Sequence, residues 1–235
     1  MQRIAALFLS LALAGCVVPA NQVSQPQQQL PDAAQSVAAS QAARNFVTAV
    51  ETVEPVAEQI CRARTRGQNC NFHIVIDDRP GQAPNAFQTL DSFGRPILAF
   101  NLALIANTRN VDEIAFVIGH EAAHHISGHI PQQQQSATQG ALLAGILVAV
   151  GGGGDSAIQE AQKIGATVGA RRFSKGFELE ADALGAEITE RAGFSALRGA
   201  AFFDRFTDPG DKFLGTHPPN AARRATVAQA VANLR

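Results

Sequence analysis

His120-Glu121-Ala122-Ala123-His124 is the stretch of this chain with the most chemistry in it. On a helix, residues four apart share a face, so both imidazoles can reach one metal ion while Glu121 sits beside them. Neutral imidazole suits zinc. Catalytic zinc sites take three protein ligands and keep a position open for water, on which an adjacent carboxylate can act as a base. A third ligand is available downstream in Glu178-Leu179-Glu180-Ala181-Asp182, an expected helix on which Glu178 and Asp182 share a face. Glu178 would complete a site of two His and one Glu, and Asp182 could hydrogen-bond the free nitrogen of a ligating His and fix its tautomer. His125 and His129 are also four apart, but on a different face and with no Glu between them.

These residues need elements to position them. Asn110 with Glu113 three positions on reads as a capping box that opens a helix through Ile114, Phe116, Val117 and Ile118 toward Gly128. Phe46, Val50, Val53, Val56 and Ile60 form the apolar face of an earlier helix running to about Arg64, which Pro55 is expected to kink or restart. The β-rich runs Phe72 to Ile76 and Pro96 to Asn101 predict a small sheet. Phe177 to Ala192 reads as a helix stopped by Gly193, Ser195 to Phe206 as another, and Asn220 as the cap of a last one. The apolar stretch Gly140 to Val150, followed by Gly151 to Gly154, reads as a mobile loop or helical lid, with contact to a membrane as the alternative.

Taken together, these motifs resemble the zinc peptidases grouped with the CAAX prenyl protease and HtpX, and among them a periplasmic lipoprotein branch with members such as BepA and LoiP. The resemblance covers most of residues 45 to 235. It rests on the two-His motif, the Glu-x-x-x-Asp helix with Glu180-Ala181-Asp182 at its end, and His217-Pro218 with Arg223 five positions after the Pro. It implies an α+β, zincin-like fold of the gluzincin type, mainly helical with a small sheet beside the active-site helix. It also implies one Zn2+ per chain on His120, His124 and Glu178, with Glu178 preferred to Glu180 because it stands four before the Asp. Glu121 becomes the general base. His217 becomes either the donor that stabilises the oxyanion or a cap on the zinc in a latent state; in a chain without Tyr the other oxyanion candidate is Arg223. His129 takes the place of a His common just after the family motif, as helix-end structure. Asn85-Ala86 and the strand Ile97, Leu98, Ala99, Phe100 and Asn101 align with the segment along the cleft, where an extended substrate would add as a strand. The activity implied is endopeptidase action on unfolded or misfolded envelope proteins in outer-membrane protein quality control, with envelope assembly machinery as a further partner. Two other readings compete: a lipid-anchored chaperone or assembly factor with little proteolysis, and a zinc amidohydrolase of cell-wall peptides.

The remaining features set the compartment. Arg3, the apolar run Ile4 to Ala14 and Gly15 read as a signal peptide over residues 1–15, and Leu13-Ala14-Gly15-Cys16 looks like a bacterial lipobox that would make Cys16 an acylated first residue. Val17 in place of an Asp favours the outer membrane, periplasmic face. Residues 16–35, rich in Gln and Pro, form a tether of roughly 25 Å as a flexible coil, and 36–235 form the peptidase domain. Cys61 and Cys70 are then an even pair in an oxidising compartment and should bridge, restricting the unfolded chain by about 3 kcal/mol. In the 235 residues, 19 Lys and Arg against 20 Asp and Glu leave no field to hold a polyanion, which excludes nucleic acid as a partner. Acylation has a direct check. Cys16→Ser should stop lipid attachment and release the protein from membranes, seen by mass spectrometry of the mature N-terminus and by fractionation; a Cys16→Ser protein still membrane-bound and normally processed contradicts the assignment.

Overall fold

The computed structural model describes residues 33–172, 174–208, 210 and 217–235. The signal peptide, Cys16 and most of the tether lie outside the described residues, and positions 33–35, expected in the tether, already begin the first helix. This helix, α1 (Ala33–Arg64), runs through Pro55 without the expected restart. Pro55 is on the exposed face, where water can serve the Glu51 carbonyl left without a donor. Phe46, Ala49, Val53, Ala57 and Ile60, every three or four residues, form its buried stripe.

The stripe packs on α3 (Val111–Ile126), which is buried on nearly every side. Residues ionised in water sit at its N-terminus and are matched one by one. Asn110 caps the helix by accepting from the Glu113 N–H at 3.1 Å, as its position predicts. Glu113, however, accepts from the Arg109 N–H, one residue before the cap, and from both terminal nitrogens of Arg205 at 2.7 and 2.6 Å. Asp112 accepts from the Ser195 N–H and from the Arg198 guanidinium. Burial works against the Asp112 charge, but these donors outweigh it and lower its pKa.

Beside α3 lies a three-stranded sheet, β1 (His73–Asp77), β2 (Ala86–Leu90) and β3 (Pro96–Asn101), in the order β1-β3-β2. β3 pairs parallel with β1 and antiparallel with β2, so the strand expected to receive substrate, Ile97 to Asn101, has no free edge. Asn101 is engaged as well: its Oδ1 accepts from the Asn85 and Leu104 N–H groups and its Nδ2 donates to the Ala83 carbonyl, which caps α2 (Leu102–Asn107) and ties it to the segment before β2. The edge on the side of α3 belongs to β2.

Gly140 to Val150 is not a loop. It is the second half of α4 (His129–Val150), which folds back through Gly151 to Gly154 on α5 (Asp155–Arg171) as an antiparallel hairpin. The helices touch so closely that a Cβ on Gly140 would collide with the Gly165 carbonyl oxygen. Leu143, Leu147 and Val150 remain exposed, and among the described residues no helix is long and apolar enough to cross a membrane. After α6 (Ser174–Arg191), the helix expected over Ser195 to Phe206 is a short α7 (Ala196–Gly199) continued by a 3-10 segment, Ala200–Arg205. Asn220 is the first residue of α8 (Asn220–Asn233) rather than its cap, and its amide donates back to the Phe203 and Phe206 carbonyls.

The contact that matters most for the site is the crossing of α3 and α6. A Cβ on Gly119 would fall 2.8 Å from the Gly185 carbonyl oxygen, and one on Gly185 would fall 2.9 Å from the His120 Cα. Neither position has room for a side chain, because the obstacle on each side is backbone. Gly185→Ala should therefore lower stability by about 1–3 kcal/mol through overpacking, measured as a drop in melting temperature; an unchanged melting temperature would mean the helices separate at no cost.

Candidate active site

The crossing brings one turn of α3 against one turn of α6. His120 Nε2 lies 3.1 Å from His124 Nε2, His124 Nε2 lies 3.4 Å from Glu178 Oε1, and His120 Nε2 lies 3.7 Å from Glu178 Oε2. These donor atoms all stand within 4.8 Å of one another, as a metal site requires. Tetrahedral zinc with ligand bonds of about 2.0–2.1 Å sets its ligands about 3.3 Å apart, so the donor set fits that ion in both chemistry and spacing. Glu180 points elsewhere, toward His129. Asp182 is fully buried, and its Oδ1 lies 2.9 Å from His120 Nδ1. Arg223 Nε and Nη2 each donate to Asp182 at 2.7 Å, and the guanidinium lies 3.7 Å over the Phe203 ring. His217 reaches in from the segment before α8, with Nδ1 3.1 Å from Glu178 Oε2. Arg223 is thus a two-pronged clamp on Asp182, with Nη2 also 3.5 Å from Glu178 Oε2.

The tripod opens into a cavity of about 540 Å³ lined by His120, Glu121, His124, His217 and, on its far wall, Ala86, Phe87 and Gln88 of β2. The sequence profile of Peptidase family M48 matches residues 48–231, which contain every one of these groups. The chain belongs to peptidase family M48. It is therefore a metallopeptidase, with the mostly helical, small-sheet architecture of an α+β zincin-like enzyme. Comparison with curated proteins gave no match.

The electrostatics of the M48 site separate its carboxylates. Burial pushes the Glu121 carboxyl up, and the neighbouring His120 and His124 only partly offset this. Burial opposes the Glu178 charge as well, but bonds from His124 and His217 and the nearby His120 and Arg223 hold it well below the usual carboxylate range. Asp182 is lowered in the same way, its burial outweighed by His120 and Arg223. His217 is raised, chiefly by its bond to Glu178. One carboxylate is thus suited to take a proton and two to remain anionic.

Cys61 and Cys70 are joined, and the loop they close docks on the end of α3. Gln68 Nε2 donates to the His125 carbonyl, and His125 Nε2 lies 2.7 Å from the Asn69 carbonyl oxygen. His125 therefore serves structure, its pKa lowered by burial. His129 has a role beyond a helix end. It is buried, and its Nδ1 lies 2.8 Å from His124 Nδ1. Its spacing from His124 carries no signal of this contact, because the chain leaves helical geometry at Gly128 in between. For the tripod, purified protein should carry one equivalent of zinc by metal analysis, and His120→Ala and Glu178→Ala should each lose it; full tight zinc in either variant contradicts the ligand set.

Proposed function

We propose that the protein is a zinc-dependent endopeptidase of the bacterial envelope, lipid-anchored through Cys16 at the periplasmic face of the outer membrane, that hydrolyses peptide bonds in unfolded or misfolded polypeptides. The observation that carries the catalytic part is the convergence of His120 Nε2, His124 Nε2 and Glu178 at the floor of the cavity, with Glu121 beside them. Zinc held there would polarise the scissile carbonyl and make the attacking water more acidic. Glu121 takes the proton of that water and delivers it to the leaving amine, a role its raised pKa suits. His217 donates to the oxyanion through Nε2, the nitrogen not engaged with Glu178.

The substrate reading follows from β2. An extended polypeptide can pair with its open edge and pass over the tripod, which needs main-chain hydrogen bonds and hence an unfolded segment. The envelope location draws support from the signal-like N-terminus with its lipobox-like end and from the Cys61–Cys70 bridge.

Replacing Glu121 by Gln keeps the shape of the side chain but removes the base. Glu121→Gln should retain zinc and fold while cutting digestion of unfolded casein by about 10² to 10⁴-fold. Digestion at the wild-type rate would remove Glu121 from the chemistry, and a wild-type protein that binds casein without cutting it, zinc present, would favour the chaperone reading.

A further inference from the structure

The two imidazoles of the tripod are supported in different ways. Behind His120 stands a buried carboxylate, Asp182, gripped by Arg223. Behind His124 stands another imidazole. His124 Nδ1 faces His129 Nδ1 at 2.8 Å, and His129 Nε2 lies 3.3 Å from Glu180 Oε2. Gly128, at φ 67° and ψ 34°, breaks the helix so that the first residue of α4 turns back beside the last turn of α3. The His129 ring is 4% exposed and stacks on Phe177, centroids 4.4 Å apart and planes 16° from parallel, which fixes the plane of the ring.

We infer that His129 and Glu180 are positioning residues for the metal ligand His124: a hydrogen-bonded relay from Glu180 through His129 that fixes the His124 ring and the nitrogen carrying its proton. The inference rests on the metal reading above. The protons follow from counting. A His124 that offers the Nε2 lone pair must carry its hydrogen on Nδ1. Two facing Nδ1 atoms can share only one hydrogen, so His129 Nδ1 accepts it and His129 carries its own hydrogen on Nε2. There the Glu180 carboxylate accepts. The opposite arrangement would set two N–H groups against each other and turn a lone pair toward a carboxylate. The relay also gives a role to each of the three acids in the first half of α6: Glu178 for the metal, Asp182 behind His120, and Glu180 behind His124. Its outer end is wet, since the Glu180 side chain is 58% exposed while His129 is buried.

The test is zinc affinity by competition with a chromogenic chelator, together with the absorption spectrum of the cobalt-loaded protein and melting of the metal-free form. His129→Ala should weaken zinc about 10 to 100-fold, as loss of a partner behind a ligating His does, and should change the cobalt bands. His129→Asn, whose Oδ1 can accept from His124 Nδ1 but which cannot reach Glu180, should recover most of the affinity and the wild-type bands, although it loses the Phe177 stack as fully as Ala does. Glu180→Ala, at an exposed position that leaves the fold undisturbed, should weaken zinc by a smaller factor. Wild-type affinity in His129→Ala, or His129→Asn as weak as His129→Ala, would overturn the relay, and wild-type affinity in Glu180→Ala would remove its outer half. A wild-type chain that binds no zinc would instead defeat the metal reading itself.

Discussion

The backbone contact between Gly119 on α3 and Gly185 on α6 is the constraint on which the rest of the molecule depends, because ligands held on two helices converge only if the helix axes come close enough. A metal ion accepts its ligands within a narrow range of distances. Any side chain at the crossing would separate the His pair from Glu178 and Asp182 together, since each pair belongs to one rigid helix. The surroundings leave α3 little freedom to adjust. It is buried against α1 and α7 as well as α6, and its N-terminus is pinned by Asp112 and Glu113 to Arg198 and Arg205. Neither pair contributes much to net stability: Glu113–Arg205 is buried and loses hydration, and Arg198 is exposed, where water screens its attraction to Asp112. Their value here is geometric, as they hold the helix in register along its axis while the glycine crossing sets its depth.

The same packing divides the carboxylates by role. Glu121, Glu178 and Asp182 are all buried or nearly so, and burial alone would raise the pKa of each. What separates them is the number of donors aimed at each group. Asp182 has the Arg223 fork and His120, and Glu178 has His124 and His217, while among the described residues Glu121 has only the more distant charges of its neighbours. The chain thus obtains two carboxylates that stay anionic and one that can be protonated from residues of the same chemical type a few ångströms apart.

How far this was legible in the sequence depended on whether a local rule applied. Helical spacing placed His120 beside His124 and Glu178 beside Asp182, and a cap-forming Asn marked where α3 begins, because these relations are decided within one or two turns. Pairing was not legible in the same way. Ile97 to Asn101 reads as a strand, but whether a strand is central or at an edge depends on neighbours far away in the chain, and β2, with its polar Gln88 and Thr89, gave a weak signal of its own. The glycines after Val150 misled in another way: Gly151 to Gly154 suggested a flexible end, yet they form the turn of a hairpin in which Gly140 and Gly165 let α4 and α5 touch. His129 was obscured by a break in phase. Counting 100° per residue holds only within a helix, and Gly128 resets the count between His124 and His129.

The loop closed by Cys61 and Cys70 has a consequence of a different order. It grips the final turn of α3 at His125, the residue immediately after His124 of the candidate metal site, through Gln68 and Asn69. A newly made chain with free thiols already possesses every ligand and every acid of the site, yet lacks the covalent ring that holds those two residues at the end of the helix. The redox state of two cysteines outside the site thus bears on the end of the helix that carries His124, because the ring they close sets where Gln68 and Asn69 meet His125.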